Sequence, residues 1–248
     1  VRIDVLFGVQ QLTPQDVQGR VVAVIDVLRA STSIAVALAN GARAVLPFES
    51  SEEMISRSKQ LERGTFLLAG ERRMLKIGGF DLGNSPLEYT REAVEGQTVL
   101  LTTTNGSKAL LMMQGARDVV VASYVNLTAV SAMLRTALRG GADVTLVCAG
   151  QDRQFALEDA ACAGRYVHTV SKRLAAVDSN DEAYAASLID RKFGDNLIRL
   201  FNTAAHGRAL AAAGFRNDLT TCAGVDSTPV VPIYQDRQIT MLGPDRER

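Results

Sequence analysis

Tryptophan is absent from the chain, and histidine and cysteine are scarce, with two and three residues respectively. Without tryptophan the surface lacks the large aromatic that most often anchors protein partners. Cys148, Cys162 and Cys222 are odd in number and unpaired in spacing, which excludes a disulfide framework. With only His168 and His206 beside them, a Cys/His zinc site is excluded too. The thiols read as small buried hydrophobes in a reducing compartment. A charge excess is also missing, since Lys+Arg and Asp+Glu both number 27. That balance argues against a nucleic-acid-coating surface, while leaving room for a local cationic pocket around a small anion. Long hydrophobic runs are missing as well. The longest, such as 21–25 and 119–122, fall far short of the roughly 20 apolar residues of a membrane span. The first eight residues carry no basic stretch followed by an apolar core, so no secretory signal is expected. A cytoplasmic, membrane-free protein is the expectation.

What is present is alternation. Residues 21–26 (VVAVID) form a near-continuous β-branched run, the pattern of a strand buried on both faces. Residues 31–40 (STSIAVALAN) open on hydroxyls and close before Gly41, as a helix does. Strands are expected at 44–47, 65–69, 97–102, 118–122 and 143–149, and helices at 49–63, 106–114, 126–139 and 158–174. Helices at 181–200 and 201–213 complete a more helical last third, from 158 to the end. Residues 70–88 read as a long functional loop, and 243–248 are polar and expected to fray. The order implies a single α/β domain over 1–248, a three-layer α/β/α arrangement with a mostly parallel sheet. An internal duplication is suggested by AVALANGARAV (35–45) against ALLMMQGARDV (109–119), and by Ala-Gly pairs at 69–70 and 149–150. The repeat units would be about 20–71 and 97–150. The alanine-rich stretch 129–138 reads as core, with a homo-oligomer interface as its other use.

Ligands of open α/β sheets bind beyond the carboxyl ends of the strands, and polar segments cluster there. DVLRAST (26–32) places Asp26 at the end of a buried strand, where a carboxylate is costly unless paired or metal-bound. Arg29, Ser31 and Thr32 follow, and an acid, a cation and helix amides suit a metal and a phosphate together. An Asp–Arg pair with a hydroxyl cap is the plain structural alternative. TTTNGS (102–107) offers hydroxyls and amides for phosphate oxygens, with Gly106 allowing close approach, but lacks the Walker spacing. The stretch 69–89 carries Glu71, Asp81, Asn84 and Ser85 among glycines, as a loop shaped around a ligand does. Glu158 and Asp159 open a helix, where acids are favoured by the dipole in any case; beside Asp26 they would suit Mg²⁺. Cys222 reads as structural, since the Cys-x5-Arg loop of cysteine phosphatases would need arginine where Thr228 stands. His206-Gly207-Arg208 could add a cation, although a lone histidine reads first as packing or surface.

Taken together, DVLRAST, GFDLGNSPLEY, TTTNGS, CAG followed by ED, and the late Cys-x3-Asp before a Val-Pro pair resemble the 2-phosphosulfolactate phosphatase family, over about 21–232. Ser107 departs from the threonine expected there, keeping the hydroxyl. The resemblance implies a Mg²⁺-dependent phosphoric monoester hydrolase acting on a small anionic phosphate ester, in coenzyme M biosynthesis. It carries catalytic roles to Asp26, Arg29, Glu158 and Asp159. Substrate contacts go to Ser31, Thr32, Asn84, Ser85, Thr103, Thr104, Asn105, Gly106 and Asp226. The metal set would be Asp26, Glu71, Asp81, Glu158 and Asp159. Either Asp26 attacks phosphorus or a water does; the absence of an Asp-x-Asp motif favours water. The alternatives are a phosphatase of another small phosphorylated acid and a non-catalytic phosphate-ester binding module.

Overall fold

The computed structural model describes residues 1–152, 154–172, 174 and 176–243. The fraying expected of 243–248 and the helix expected over 158–174 include residues outside that set. In chain order the first half runs β1 (Ile3–Leu6), α1 (Pro14–Val17), β2 (Val21–Ile25), α2 (Ala30–Ala39), β3 (Ala44–Pro47), α3 (Ser51–Ser58), β4 (Phe66–Arg72), β5 (Leu75–Lys76) and α4 (Arg91–Val94). The second runs β6 (Thr98–Thr102), α5 (Gly106–Leu111), β7 (Asp118–Ala122), α6 (Leu127–Arg139), β8 (Val144–Cys148) and α7 (Leu157–Ser171). It ends with α8 (Asp181–Phe193), α9 (Leu197–Thr203), α10 (Ala205–Ala212), α11 (Arg216–Cys222), β9 (Pro232–Gln235) and β10 (Gln238–Met241).

Among the described residues, ten strands form one mostly parallel sheet in the order β1-β8-β2-β7-β9-β10-β3-β6-β4-β5. Parallel pairing joins β1, β8, β2 and β7 on one side and β3, β6 and β4 on the other, and the β9–β10 hairpin bridges the groups by antiparallel pairing. The reason for the continuous apolar run in β2 is that both its faces are covered. Val21, Ala23 and Ile25 pack with Val130, Leu134 and Tyr166 from α6 and α7. Val22 and Val24 pack with Ile34, Leu38 and Leu110 from α2 and α5. Each such side chain taken fully from water contributes about 1.5–3 kcal/mol. A smaller cluster of Phe48, Met54, Phe80 and Leu100 covers the group around β6.

The helix expected over 181–200 is broken after Phe193 by Gly194 at positive φ, and that over 201–213 after Thr203. The loop expected over 70–88 begins as sheet, because β4 runs on to Arg72 and turns back into β5. Strands β1, β9 and β10 and helix α11 were not anticipated, being short and without a period. Helix α6 turns Val130, Leu134 and Leu138 into the core and leaves Thr128 and Thr136 exposed, as the core reading of 129–138 expects.

Candidate active site

A cavity of about 360 Å³ opens where four strands end, bounded by Asp26 after β2, Glu71 in β4, Thr103 after β6 and Gln151 after β8. Asp26 is 6 % exposed. Its amide is held by Ser31 Oγ at 2.9 Å, and Oδ1 lies 3.4 Å from the Ala30 amide. Its Oδ2 takes no hydrogen bond from the described residues. The turn carrying Gly106 closes directly on this carboxylate: a Cβ at 106 would sit 2.6 Å from both Asp26 Oδ2 and Ala30 Cβ. Burial raises the Asp26 carboxyl to about 6, with the His206 charge opposing and Glu71 and Glu158 adding to the shift.

His206, the second residue of α10, reaches the same cavity and places Nδ1 3.1 Å from Glu158 Oε1. Burial works against its charged form, but the hydrogen bond and charge of Glu158, with Asp26 behind it, raise it above the ordinary histidine value. Acid and imidazole thus face one small polar space, an arrangement suited to moving protons at a bound ester.

The remaining acids act mainly on the backbone. Glu71 Oε1 accepts from the Thr104 amide at 2.7 Å and Oε2 from the Met74 amide at 2.9 Å. Asp159 Oδ1 accepts from the Val27 amide at 2.9 Å and Oδ2 from the Gly150 amide at 3.1 Å, which ties the loop after β2 to that after β8. Burial, then Glu158 and Asp26, push the Asp159 carboxyl well up.

Arg29 is 2 % exposed and lines the cavity, but its guanidinium is spoken for. Nη1 donates to Asp218 Oδ2 at 2.8 Å, Nη2 to the Met74 carbonyl at 2.7 Å, and the Phe215 ring lies 4.3 Å away. Asp218 Oδ1 also accepts from Ser85 Oγ at 2.7 Å. Arg29 therefore braces the cavity wall, where the sequence suggested a phosphate ligand.

Of the expected substrate contacts, Asn84, Thr103, Thr104 and Asn105 line the cavity and Gly106 abuts it. Ser31, Thr32, Ser85 and Asp226 do not. The Ser31 hydroxyl serves the Asp26 amide and the Val24 carbonyl, and that of Thr32 serves the Val27 carbonyl and Ser123. Ser85 is spent on Asp218, and Asp226 caps α6 through the amide and hydroxyl of Thr128. Thr103 and Ser107 bond reciprocally through hydroxyls and amides, so their chemistry shapes the turn. Asp81 accepts from the Leu68 amide and stands outside the cavity. Among the described residues no three of His, Cys, Asp and Glu converge on a metal position. The five-acid metal set is thus not assembled, because Glu71 and Asp159 spend both oxygens on amides and Asp81 is elsewhere. Burial pushes the Cys222 thiol up to about 12, in keeping with its structural reading.

Sequence reasoning passed over Asp218, Arg73 and Gln151, and ranked His206 as packing or surface ahead of a cation. Only Gln151 left a signal: it follows Ala149-Gly150 as Glu71 follows Ala69-Gly70.

Fold and cavity define an α/β protein with a compact acid–histidine site at converging strand ends. The chain belongs to the 2-phosphosulpholactate phosphatase family, whose profile matches residues 7–237. It is 39 % identical over 228 residues to a probable 2-phosphosulfolactate phosphatase of Symbiobacterium thermophilum, covering 92 % of this chain and 97 % of that one. A protein of the same description from Synechococcus sp. (strain JA-2-3B'a(2-13)) is 43 % identical over 211 residues, 84 % of this chain and 86 % of that one. A third, from Thermotoga maritima, is 38 % identical over 216 residues, 87 % of this chain and 89 % of its own. No helix among the described residues is long and apolar enough to cross a membrane.

Proposed function

We propose that the chain hydrolyses 2-phosphosulfolactate to 3-sulfolactate and phosphate. The observation that carries this reading is the buried Asp26 carboxylate, with Oδ2 unbonded, sharing a small cavity with the His206–Glu158 pair. Water attacks phosphorus as the bond from phosphorus to the ester oxygen breaks. Asp26, largely ionised above about pH 6, orients that water and accepts its proton. His206, kept protonated by Glu158, gives its proton to the departing alkoxide. The glycine at 106 lets the turn after β6 approach closely enough to hold the phosphate against Asp26.

Magnesium dependence belongs to the same proposal. Mg²⁺ takes one or two carboxylates and fills its other positions with water and phosphate oxygens. Asp26 and Asp152 line the cavity with carboxylate oxygens that take no hydrogen bond among the described residues, and would be the groups to hold it. When bound, the ion supplies charge neutralisation to the phosphate.

Phosphate release from 2-phosphosulfolactate and a panel of small phosphorylated acids, with Mg²⁺ and with chelator, tests both parts. Preferred, chelator-sensitive turnover of phosphosulfolactate is the expected result. Turnover of another acid would retain the chemistry and replace the substrate. That second reading draws on one observation: a groove of about 1020 Å³ shares Thr104 and Asn105 with the site and offers room for a longer substrate. Binding without release from any ester would refute a phosphatase.

A further inference from the structure

Asn84 is 5 % exposed, lines the cavity, and leaves its Oδ1 buried without a hydrogen-bond partner. A buried amide in that state costs stability unless something outside the chain satisfies it. Its position is nevertheless fixed. Ser33 Oγ donates to the Asn84 carbonyl at 2.8 Å, and the next residue, Ser85, is anchored to Asp218. Nothing in the network fixes which way the amide faces, so it can offer Nδ2–H to an acidic group entering the cavity.

Arg29 joins this segment to the turn between β4 and β5, bonding Asp218 on one side and the Met74 carbonyl on the other. That two-residue turn is Arg73-Met74, with φ of 50° and 72°. Hairpin turns of this kind ordinarily use Asn or Gly, because side chains disfavour positive φ. Here two long-chained residues stand in it, with the Met74 amide held by Glu71 and the Met74 carbonyl by Arg29, and such over-determined strain gathers at ligand sites. The other cations of the cavity are engaged. Arg29 is neutralised by Asp218, Arg72 turns to Thr102 and the Glu71 carbonyl, and His206 is on Glu158. Arg73 lines the cavity and makes no hydrogen bond or ion pair among the described residues.

We propose that Asn84 and Arg73 form a subsite for a second acidic group of the substrate, sulfonate or carboxylate, apart from the residues that handle the phosphate. The inference rests on the phosphatase reading for its substrate class. Guanidinium and amide together match two oxygens of one acid group. The subsite would select phosphorylated acids over plain phosphate esters, chiefly through KM.

The test compares wild type, Arg73→Ala, Arg73→Lys and Asn84→Ala on 2-phosphosulfolactate, 2-phospholactate and isopropyl phosphate. Expected is a fall of about tenfold or more in the kcat/KM preference for the acids over isopropyl phosphate in R73A and N84A, with partial recovery in R73K. If 2-phospholactate loses as much as phosphosulfolactate, the group recognised is the carboxylate; if it loses nothing, the sulfonate. An unchanged preference, or equal losses on all three esters, overturns the subsite. Calorimetric binding of 3-sulfolactate to wild type and R73A gives a readout without turnover. Arg73-dependent binding by a chain that hydrolyses no ester would sink the phosphatase reading and keep the subsite; Arg73-independent binding would sink the subsite.

Discussion

An ionised carboxylate at the end of a buried strand opposes folding, and Asp26 shows by how much. Its folded value of about 6 lies above the ordinary 3.8. The folded protein therefore takes up this proton more readily than the unfolded chain. The penalty is absent below about pH 3.8, grows as pH rises, and is complete above about 6. At about 1.4 kcal/mol per unit it amounts to roughly 3 kcal/mol. Asp26→Asn removes the charge and keeps the shape. In metal-free protein the variant should melt several degrees higher than wild type at pH 8, and the gain should vanish by pH 4. Phosphate release should fall by more than about a thousandfold. A variant that is less stable at pH 8, or that still turns over, contradicts the role given to Asp26. For wild type, kcat/KM should fall towards acid pH as Asp26 protonates, with the break below the metal-free value of about 6 when Mg²⁺ is bound, because a cation favours the carboxylate.

Gly106 has no room for a side chain. An added methyl would meet Ala30 Cβ and Asp26 Oδ2 at 2.6 Å, so the turn or the carboxylate has to move. Gly106→Ala should cost about 1–3 kcal/mol in thermal or denaturant melts. Because the displaced group is the reacting one, kcat should fall tenfold or more. Melting like wild type with full activity would show that the turn yields freely. At this scale the site was legible where chemistry was anomalous. A carboxylate closing an apolar strand and an acid pair opening a helix both stand out in sequence. His206 does not, because nothing around it in the alanine-rich α10 separates it from a packing histidine, and its partner Glu158 is 48 positions away.

Among elements, the β4–β5 hairpin lends the cavity wall four consecutive residues, Glu71 to Met74, and is held by few groups. Glu71 alone fixes both the turn, through the Met74 amide, and the loop after β6, through the Thr104 amide. Glu71→Ala leaves both donors without an acceptor, each worth about 1–3 kcal/mol where water cannot replace it. Hydrogen exchange by NMR should then show the Met74 and Thr104 amides losing protection together while β2 and β8 keep theirs. Loss of protection across the whole sheet would make Glu71 a global rather than a local brace. The sequence made this region a loop because 70–88 is rich in glycine and polar residues, and the Arg73-Met74 turn lacks the Asn or Gly that announces a hairpin. The sliding scale is physical. Long buried strands and capped helices declare themselves locally, whereas short elements such as β5, β9 and α11 exist only through what they pack against.

For the molecule as a whole, the strand order has a consequence for folding. From the first 96 residues come β1 to β5, and in the sheet no two of β1, β2, β3 and β4 are neighbours. Strand β2 lies between β8 and β7, while β6 lies between β3 and β4, so each stretch of chain supplies the centre of the other's parallel group. The strand ends bounding the cavity divide the same way, Asp26 and Glu71 from the first stretch and Thr103 and Gln151 from the second. Local patterning made the alternation of strands and helices readable, but this interleaving rests on long-range pairing that no local pattern encodes. Alone, residues 1–96 could complete only the β4–β5 hairpin, leaving apolar strands without partners. Cutting after Gly96, an exposed glycine at positive φ before β6, should therefore give two fragments that are unfolded separately. Mixed or co-expressed, they should form a one-to-one complex with native-like circular dichroism and restored phosphate release. Independent folding of either fragment, detected as a cooperative melt, would show that the interleaved sheet is not what makes this chain one folding unit.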